Sequence, residues 1–208
     1  TYAPLDRLRR LYEEALEADG VVGLAIGTRP DCVSDELLDY LADLARQTSV
    51  TVEYGIESAN DNTLLRINRG HDFACARRAI EATHARGIIT GGHVIIGLPG
   101  EDAAESLRQA PLVSALPLDI LKIHQMQVIR GTRLAQLYEE HPFHLYTVDE
   151  YINVIISYIR MLRKDLVLER FVSQSPKDLL IAPHWGLKNH EFTHLLVNRM
   201  KAIGAWQG

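Results

Sequence analysis

Apolar residues follow two different spacings along the chain. Consecutive apolar runs, typical of buried strands, occupy four segments: 21–26, 50–56, 91–97 and 119–129. Apolar residues at helical spacing lie between them and predict helices at 5–16, from the Ser34 N-cap onward, at 72–86 and at 102–115. Because strands alternate with helices, the pattern predicts an α/β fold with a parallel sheet, either a doubly wound open sheet or a barrel.

The pattern changes after residue 147. A long amphipathic helix is predicted at 148–166, a strand at 167–173 and a terminal helix at 191–203, with an irregular stretch at 175–189. We therefore predict two parts, residues 1–147 with the βα units and residues 148–208 as an α+β extension.

Composition excludes several classes of protein. The chain has 208 residues, of which 47% are hydrophobic and 24% charged, as in ordinary globular domains. No apolar run reaches the roughly 18–20 residues of a membrane span, and no signal-peptide pattern opens the chain. The two cysteines, Cys32 and Cys75, are too few for a disulfide framework or a complete iron–sulfur site, and they fit a cytoplasmic location.

Charge is unevenly distributed. The net charge is −5, yet residues 157–208 carry eight basic and four acidic residues. Such a basic tail can bind a polyanion such as RNA, although a solvated basic face explains it equally well.

Charged residues follow several predicted strands. Ligands bind at the carboxyl ends of strands in both open α/β sheets and barrels. Arg29 and Arg69 have the guanidinium that binds a carboxylate bidentately, and the Glu57 carboxylate can accept two ribose hydroxyls. Each residue alone is as readily a surface ion-pair residue, but together on one rim they favour a zwitterionic or nucleoside ligand.

Two further features of the predicted strands each allow two interpretations. The glycine-rich turn at 97–101 lets a ligand approach the backbone closely, or is simply a tight turn. Strand alternation puts Gln125 and Gln127 on one face and His124 on the other, which suits a ligand inside a partly open barrel or a hydrogen-bonded core pair.

The terminal helix contains a short metal-binding pattern. His190, Glu191 and His194 match H-E-x-x-H, which can hold zinc with the glutamate as a base. No third ligand follows in the sequence, so a capped helix with surface histidines is the simpler interpretation.

An ordered set of segments resembles a known family. The segments are GTRPD (27–31), YGIES (54–58), INRGH (67–71), HVIIGLPGE (93–101) and VIRGT (128–132). Together, over residues 21–134, they resemble the radical S-adenosylmethionine (radical SAM) superfamily. The resemblance is strongest to the branch of the Elongator catalytic subunit, the methylthiotransferases and the coproporphyrinogen dehydrogenase-like enzymes. The tail with APHW (182–185) resembles a bacterial subfamily labelled YhcC-like.

The resemblance implies a partial (β/α)6 barrel that binds SAM. In this family the Glu57 and Ser58 motif touches the SAM ribose and Arg69 grips the methionine carboxylate. His93 occupies a position at which this family often has an acidic residue that binds the ribose. The backbone around Gly97 and around Val128 and Gly131 is implied to pack on adenine. We expect the substrate to meet Arg29, Tyr54, Gln125 and Gln127.

The family's [4Fe–4S] cluster needs three cysteines at C-x3-C-x2-C spacing, which this chain lacks. We therefore expect the first two barrel strands and the cluster ligands to precede Thr1, and the chain alone to be inactive. The resemblance also implies a reductant protein for the cluster and suggests tRNA as substrate. The competing hypotheses are a non-catalytic module that binds SAM or a partner, and a zinc peptidase. Without those two strands, the edge of the next strand would be uncovered. We therefore expect the chain to dimerise through this edge or to cover it with its own tail.

Overall fold

The computed structural model describes residues 1–208. The helices are α1 (Leu5–Leu16), α2 (Asp35–Ala45), α3 (Asp61–Arg66), α4 (Phe73–His84), α5 (Ala103–Ser114), α6 (Arg133–Glu140), α7 (Val148–Ile159) and α8 (Asn189–Ala202). The strands are β1 (Gly23–Thr28), β2 (Ser49–Glu57), β3 (Ile89–Ile96), β4 (Ile120–Gln125), β5 (Val128–Ile129), β6 (Val167–Arg170) and β7 (Leu180–Ala182). A short 3-10 helix spans Pro30–Cys32.

The strands form two sheets. The larger is mostly parallel, with strand order β1-β2-β3-β4-β6, and β5 pairs antiparallel with β7. Helices separate its first four strands along the chain, so the prediction of an α/β fold is confirmed.

The chain divides into two compact units. The first comprises residues 1–93 and 116–121. In it β1 and β2 run parallel, from Gly23 opposite Ser49 to Thr28 opposite Tyr54. Helices α2 and α4 pack against β2, and each begins at its predicted N-cap, where Ser34 and Asp72 accept backbone hydrogen bonds.

Strand β2 has one apolar face and one polar face. The apolar residues are almost fully buried: Val50, Val52, Tyr54 and Ile56. The other face carries Thr51, Glu53, Gly55 and Glu57, all of intermediate exposure. Because side chains alternate along a strand, burying the first set aims the second toward the opposite face of the sheet.

The second unit comprises residues 94–115 and 122–208. Its core is helix α7, which begins at a capping box formed by Thr147 and Glu150 and buries seven of its twelve residues. Tyr151 donates a hydrogen bond to the Phe171 carbonyl at 2.9 Å and packs against Trp185 and Phe192. This aromatic cluster fixes the C-terminal segments around α7.

Several predicted boundaries are wrong. The strand predicted at 119–129 is two strands, because the chain breaks after Gln125 and β5 pairs with β7 instead. Helix α7 ends at Ile159, where a tight turn begins with Leu162 N–H bonded to the Ile159 carbonyl. Helices α3 and α6 and strand β7 were not predicted, because elements of three to eight residues show little periodicity.

Neither compact unit begins at residue 148, and the boundary at 147/148 stays a prediction. None of the eight helices combines the length and the apolar composition needed to cross a bilayer.

Candidate ligand-binding site at the end of strand β2

A partly buried ion pair lies at the carboxyl end of β2. Arg69 Nη2 lies 3.3 Å from Glu57 Oε1, and both side chains are less than a quarter exposed. The same Nη2 donates a hydrogen bond to the Gly55 carbonyl at 2.9 Å. The structure thus brings together two of the residues predicted to bind the cofactor, although they are 12 positions apart in sequence.

Both sides of this ion pair rest on left-handed backbone. Glu57 has a φ of 66° and Asn68, which precedes Arg69, has a φ of 57°. Asparagine adopts this region readily, but for a glutamate it costs about 1–3 kcal/mol, and such strain clusters at functional sites. The end of β2 is therefore held in a conformation that it does not prefer alone.

Glycine leaves room for the pair. A Cβ added at Gly55 would meet Glu57 Oε1 at 2.5 Å and Arg69 Nη2 at 2.9 Å. Arg69 Nε is buried and has no hydrogen-bond partner. An unpaired buried donor beside a carboxylate is a feature that a ligand's oxygen atoms can satisfy.

The electrostatics of Glu57 are dominated by burial. Burial raises the pKa of this carboxyl above its ordinary value, while the positive charge of Arg69 and then that of His93 act in the opposite direction. The Glu57 carboxylate is therefore poorly solvated by water and is suited to accept hydrogen bonds from a ligand's hydroxyl groups.

A second carboxylate, which the sequence did not reveal, lies on the same face of β2. Glu53 Oε2 is 2.7 Å from His93 Nε2. Gly91 permits this contact, because a Cβ there would meet Glu53 Cγ at 2.9 Å. Alternation along β2 groups Glu53 with Glu57, but only the structure of the sheet joins Glu53 to a histidine 40 positions away.

Ser58 and Arg29 have partners within the protein. Ser58 is buried, and its hydroxyl accepts a hydrogen bond from Asn60 N–H at 3.0 Å, so it shapes the turn after β2. Arg29 pairs with Asp31 through two hydrogen bonds of 3.0 and 2.6 Å and remains half-exposed after β1.

Tyr54 does not face the polar surface of β2. Its side chain is fully buried on the helix side, where its hydroxyl is 2.7 Å from Thr83 Oγ1 of α4. Burial raises its pKa to about 12. This placement contradicts the expectation that Tyr54 faces the cavity.

The two glutamines predicted to meet substrate hold a backbone segment. Gln125 accepts a hydrogen bond from Ser173 N–H at 2.7 Å and donates one to the Ser173 carbonyl at 2.9 Å. Gln127 accepts from the Ser175 hydroxyl at 2.7 Å. Both amides brace the chain after β6, so of the two alternatives for these residues the structure shows the hydrogen-bonded one.

The residues expected around adenine lie in the second unit. Gly97 follows β3 with a φ of 88°, and a Cβ there would meet Cε2 of Tyr146 at 3.1 Å. Val128 is fully buried opposite Ala182, and Gly131 has a φ of 81° just before the Thr132 N-cap of α6. Tyr146 is a neighbour of this region that the sequence did not indicate.

The H-E-x-x-H segment forms the first turns of α8. Glu191 accepts a hydrogen bond from Lys188 N–H at 2.6 Å and so caps its own helix, and His194 Nε2 is 2.9 Å from Asn198 Nδ2. No group of three or more His, Cys, Asp or Glu side chains is arranged to hold a metal ion, and Cys32 and Cys75 are both free thiols. These residues fit neither a zinc peptidase nor the ligand set of a [4Fe–4S] cluster.

Family models cover most of the chain. Residues 1–108 match the radical SAM superfamily, and residues 118–202 match the radical SAM C-terminal domain. The chain therefore belongs to the radical SAM superfamily, and within it to the branch of YhcC-type and Elongator-type proteins, as the sequence predicted.

Relatives and solved structures agree with this assignment. The chain is 32% identical to the uncharacterized protein YtqA of Bacillus subtilis over 208 residues, which is all of this chain and 65% of that protein. It is 36% identical to protein YhcC of Escherichia coli over 186 residues, covering 89% of this chain and 60% of that protein. The chain thus spans less than two thirds of the length of these relatives.

A more distant relative is the tRNA uridine(34) acetyltransferase of Methanocaldococcus infernus, 25% identical over 186 residues, or 88% of this chain and 34% of that protein. The solved structure of an N-terminally deleted archaeal Elp3 from the same organism has a TM-score of 0.78, with 24% identity, over 89% of this chain and 43% of that one. The predicted radical-SAM-type barrel fold is thereby confirmed.

Proposed function

We propose that this chain supplies the SAM-binding surface of a radical SAM enzyme, with Glu57 and Arg69 holding the ligand. The observation that carries the proposal is the partly buried ion pair of these residues on left-handed backbone, with an unpaired buried donor at Arg69 Nε. Membership in an enzyme superfamily favours this function over that of a non-catalytic module.

The residues of this site fit SAM by their chemistry. A guanidinium can donate two parallel hydrogen bonds to the methionine carboxylate, and the Glu57 carboxylate can accept from the two ribose hydroxyls. The Glu53–His93 pair offers a further polar group on the same face. Arg69 would orient the amino-acid end of the ligand and Glu57 its sugar, and their partial burial strengthens both contacts.

In this superfamily SAM and a reduced [4Fe–4S] cluster together supply a 5′-deoxyadenosyl radical, which abstracts hydrogen from the substrate. The two cysteines of this chain cannot provide the three thiolates of the cluster. The contribution of the chain's own residues is to bind SAM, orient it and exclude water.

Binding of S-adenosylhomocysteine tests the site without the cluster. The Arg69→Met and Glu57→Gln variants should each bind this probe about tenfold to a hundredfold more weakly than the wild type, because a charge-assisted hydrogen bond contributes about 1.5–3 kcal/mol. Isothermal titration calorimetry measures the change. Arg46→Met, which removes an exposed arginine of α2's C-cap, is the matched control and should bind as the wild type does.

We further propose that the chain is inactive by itself. After iron–sulfur reconstitution and reduction, the 208-residue protein should release no 5′-deoxyadenosine from SAM, as measured by liquid chromatography. Formation of 5′-deoxyadenosine would contradict this part of the proposal and leave the binding role intact.

We propose tRNA as the substrate of the full-length enzyme. The support is the similarity to a tRNA-modifying protein and the basic excess in residues 157–208. Phosphate contacts make affinity fall steeply with salt, so tRNA binding should weaken markedly between 50 and 200 mM salt, the range in which such contacts show their effect. Weak, salt-independent binding would instead favour a small-molecule or protein substrate.

A further inference from the structure

His71 is a polar side chain in a fully buried position next to the proposed ligand site. Its side chain has no solvent exposure, and neither ring nitrogen makes a hydrogen bond of standard geometry. A leucine would fill the same space without burying two polar atoms, so packing alone does not explain an imidazole here.

The imidazole lies among three segments that meet at the strand ends. It follows Arg69 by two residues, and its Nδ1 is 3.9 Å from Oδ1 of Asp31, which comes after β1. The Ile56 carbonyl also faces the ring and favours its protonated form. Ile56 directly precedes Glu57, so His71 borders both left-handed turns that carry the ion pair.

Burial and a neighbouring charge both favour the uncharged form of the ring. Burial lowers the pKa of His71, and the nearby Arg69 guanidinium lowers it further, whereas Asp31 and the Ile56 carbonyl act in the opposite direction. Asp31 is in turn engaged by Arg29. The uncharged form of the ring adds no positive charge that would push the Arg69 guanidinium away from Glu57.

We propose that His71 is a positioning residue for the Glu57–Arg69 pair. Its polar edges face the Ile56 carbonyl and the Asp31 carboxylate, and this brace holds the end of β2 and the Arg69 turn in their left-handed conformations. The role rests on the proposed SAM-binding function and adds to it a residue that does not touch the ligand.

The test compares ligand affinity with thermal stability in His71 variants of the 208-residue chain. His71→Leu removes the polar atoms and keeps the volume, whereas His71→Gln and His71→Asn each restore an amide N–H near one of the two ring nitrogens. The probe is S-adenosylhomocysteine, and the control is His84→Leu, the same substitution at an exposed position of α4.

We expect His71→Leu to weaken probe binding about fivefold to tenfold, because the Ile56 carbonyl and the Asp31 carboxylate lose the polar ring that faces them. Its melting temperature should be equal to or higher than that of the wild type, because two buried polar atoms without a standard hydrogen bond are gone. At least one amide variant should restore affinity to within twofold. A merely structural role would not separate affinity from stability in this way.

Several results would overturn the proposal. One is wild-type affinity in His71→Leu; another is loss of affinity in all three variants in step with their melting temperatures. If His71→Leu does not fold, Asp31→Ala tests the same brace from its other side, and unchanged affinity there also overturns it. No binding of the probe by the wild type would overturn the proposed function itself, and the role of His71 with it.

Discussion

Gly55 lies beneath the ion pair between Glu57 and Arg69, and the space above its Cα is occupied by their charged atoms. A Cβ at this position would meet Glu57 Oε1 at 2.5 Å and Arg69 Nη2 at 2.9 Å, distances at which one of the two side chains must move. The site therefore depends on the absence of a side chain as well as on the two charges.

Gly55→Ala should weaken S-adenosylhomocysteine binding by about tenfold or more, because it displaces at least one of the two groups that hold the ligand. Titration calorimetry measures the affinity. Gly27→Ala is the control on the neighbouring strand, since a Cβ there meets no atom within 4 Å. Equal affinities of the two variants would show that the geometry of the pair does not matter.

The titration of His71 makes stability depend on pH in a defined direction. Its folded-state pKa lies below the ordinary value of 6.5, so below about pH 6.5 the unfolded chain binds the proton more readily than the folded chain. Stability is therefore retained above this pH and lost as the pH falls from 6.5 toward the folded pKa. Urea unfolding between pH 5 and 8 should show a smaller loss on acidification for His71→Gln than for the wild type, and identical slopes would contradict the assignment.

Strand β2 shows what a sequence pattern predicts and what it leaves open. Its position, within one residue at each end, follows from the apolar run at 50–56, and the helices that begin at Ser34 and Asp72 follow from helical spacing and their N-caps. The same alternation groups Tyr54 with the buried Val52 and Ile56, yet the resemblance to the family drew Tyr54 into the predicted site.

Contacts between distant segments could not be predicted from the sequence. The Glu53–His93 pair and the hydrogen bonds from Gln125 to Ser173 join residues 40 and 48 positions apart, and such pairs are fixed by strand register and tertiary packing. Arg69 and Glu57 were predicted to share a site because both lie at or beyond the ends of predicted strands, and the family resemblance assigned their roles. Their left-handed backbone and the neighbouring His71 became visible only in the fold.

The contact between β2 and α4 provides a test of the face on which Tyr54 lies. Thr83→Val should destabilise the chain by about 1–3 kcal/mol, because the buried Tyr54 hydroxyl loses its partner. Probe binding should stay unchanged, since this contact is on the helix side of the sheet. Adding Tyr54→Phe to this variant should recover part of the stability. A large drop in the probe affinity of Thr83→Val would instead indicate that Tyr54 belongs to the ligand site.

For the whole molecule, the family and the mostly parallel α/β fold were predictable, because ordered motifs cover more than half of the chain. The division into compact units was not, since the C-terminal segments pack through an aromatic cluster whose members are scattered between Tyr146 and Phe192. Periodicity indicates where helices occur but does not show which other elements pack against them.

The edge of the larger sheet leads to a prediction about assembly. Strand β1 is at one end of the strand order, and Val22, just before it, is 83% exposed. An uncovered edge with an adjacent apolar residue promotes pairing between chains, whereas a lysine there opposes it. We therefore expect the wild type to dimerise at high protein concentration and Val22→Lys to be monomeric, as measured by size-exclusion chromatography with light scattering. Ile203→Lys, at an exposed apolar position in the other unit, should dimerise as the wild type does; a monomeric wild type would contradict pairing through β1.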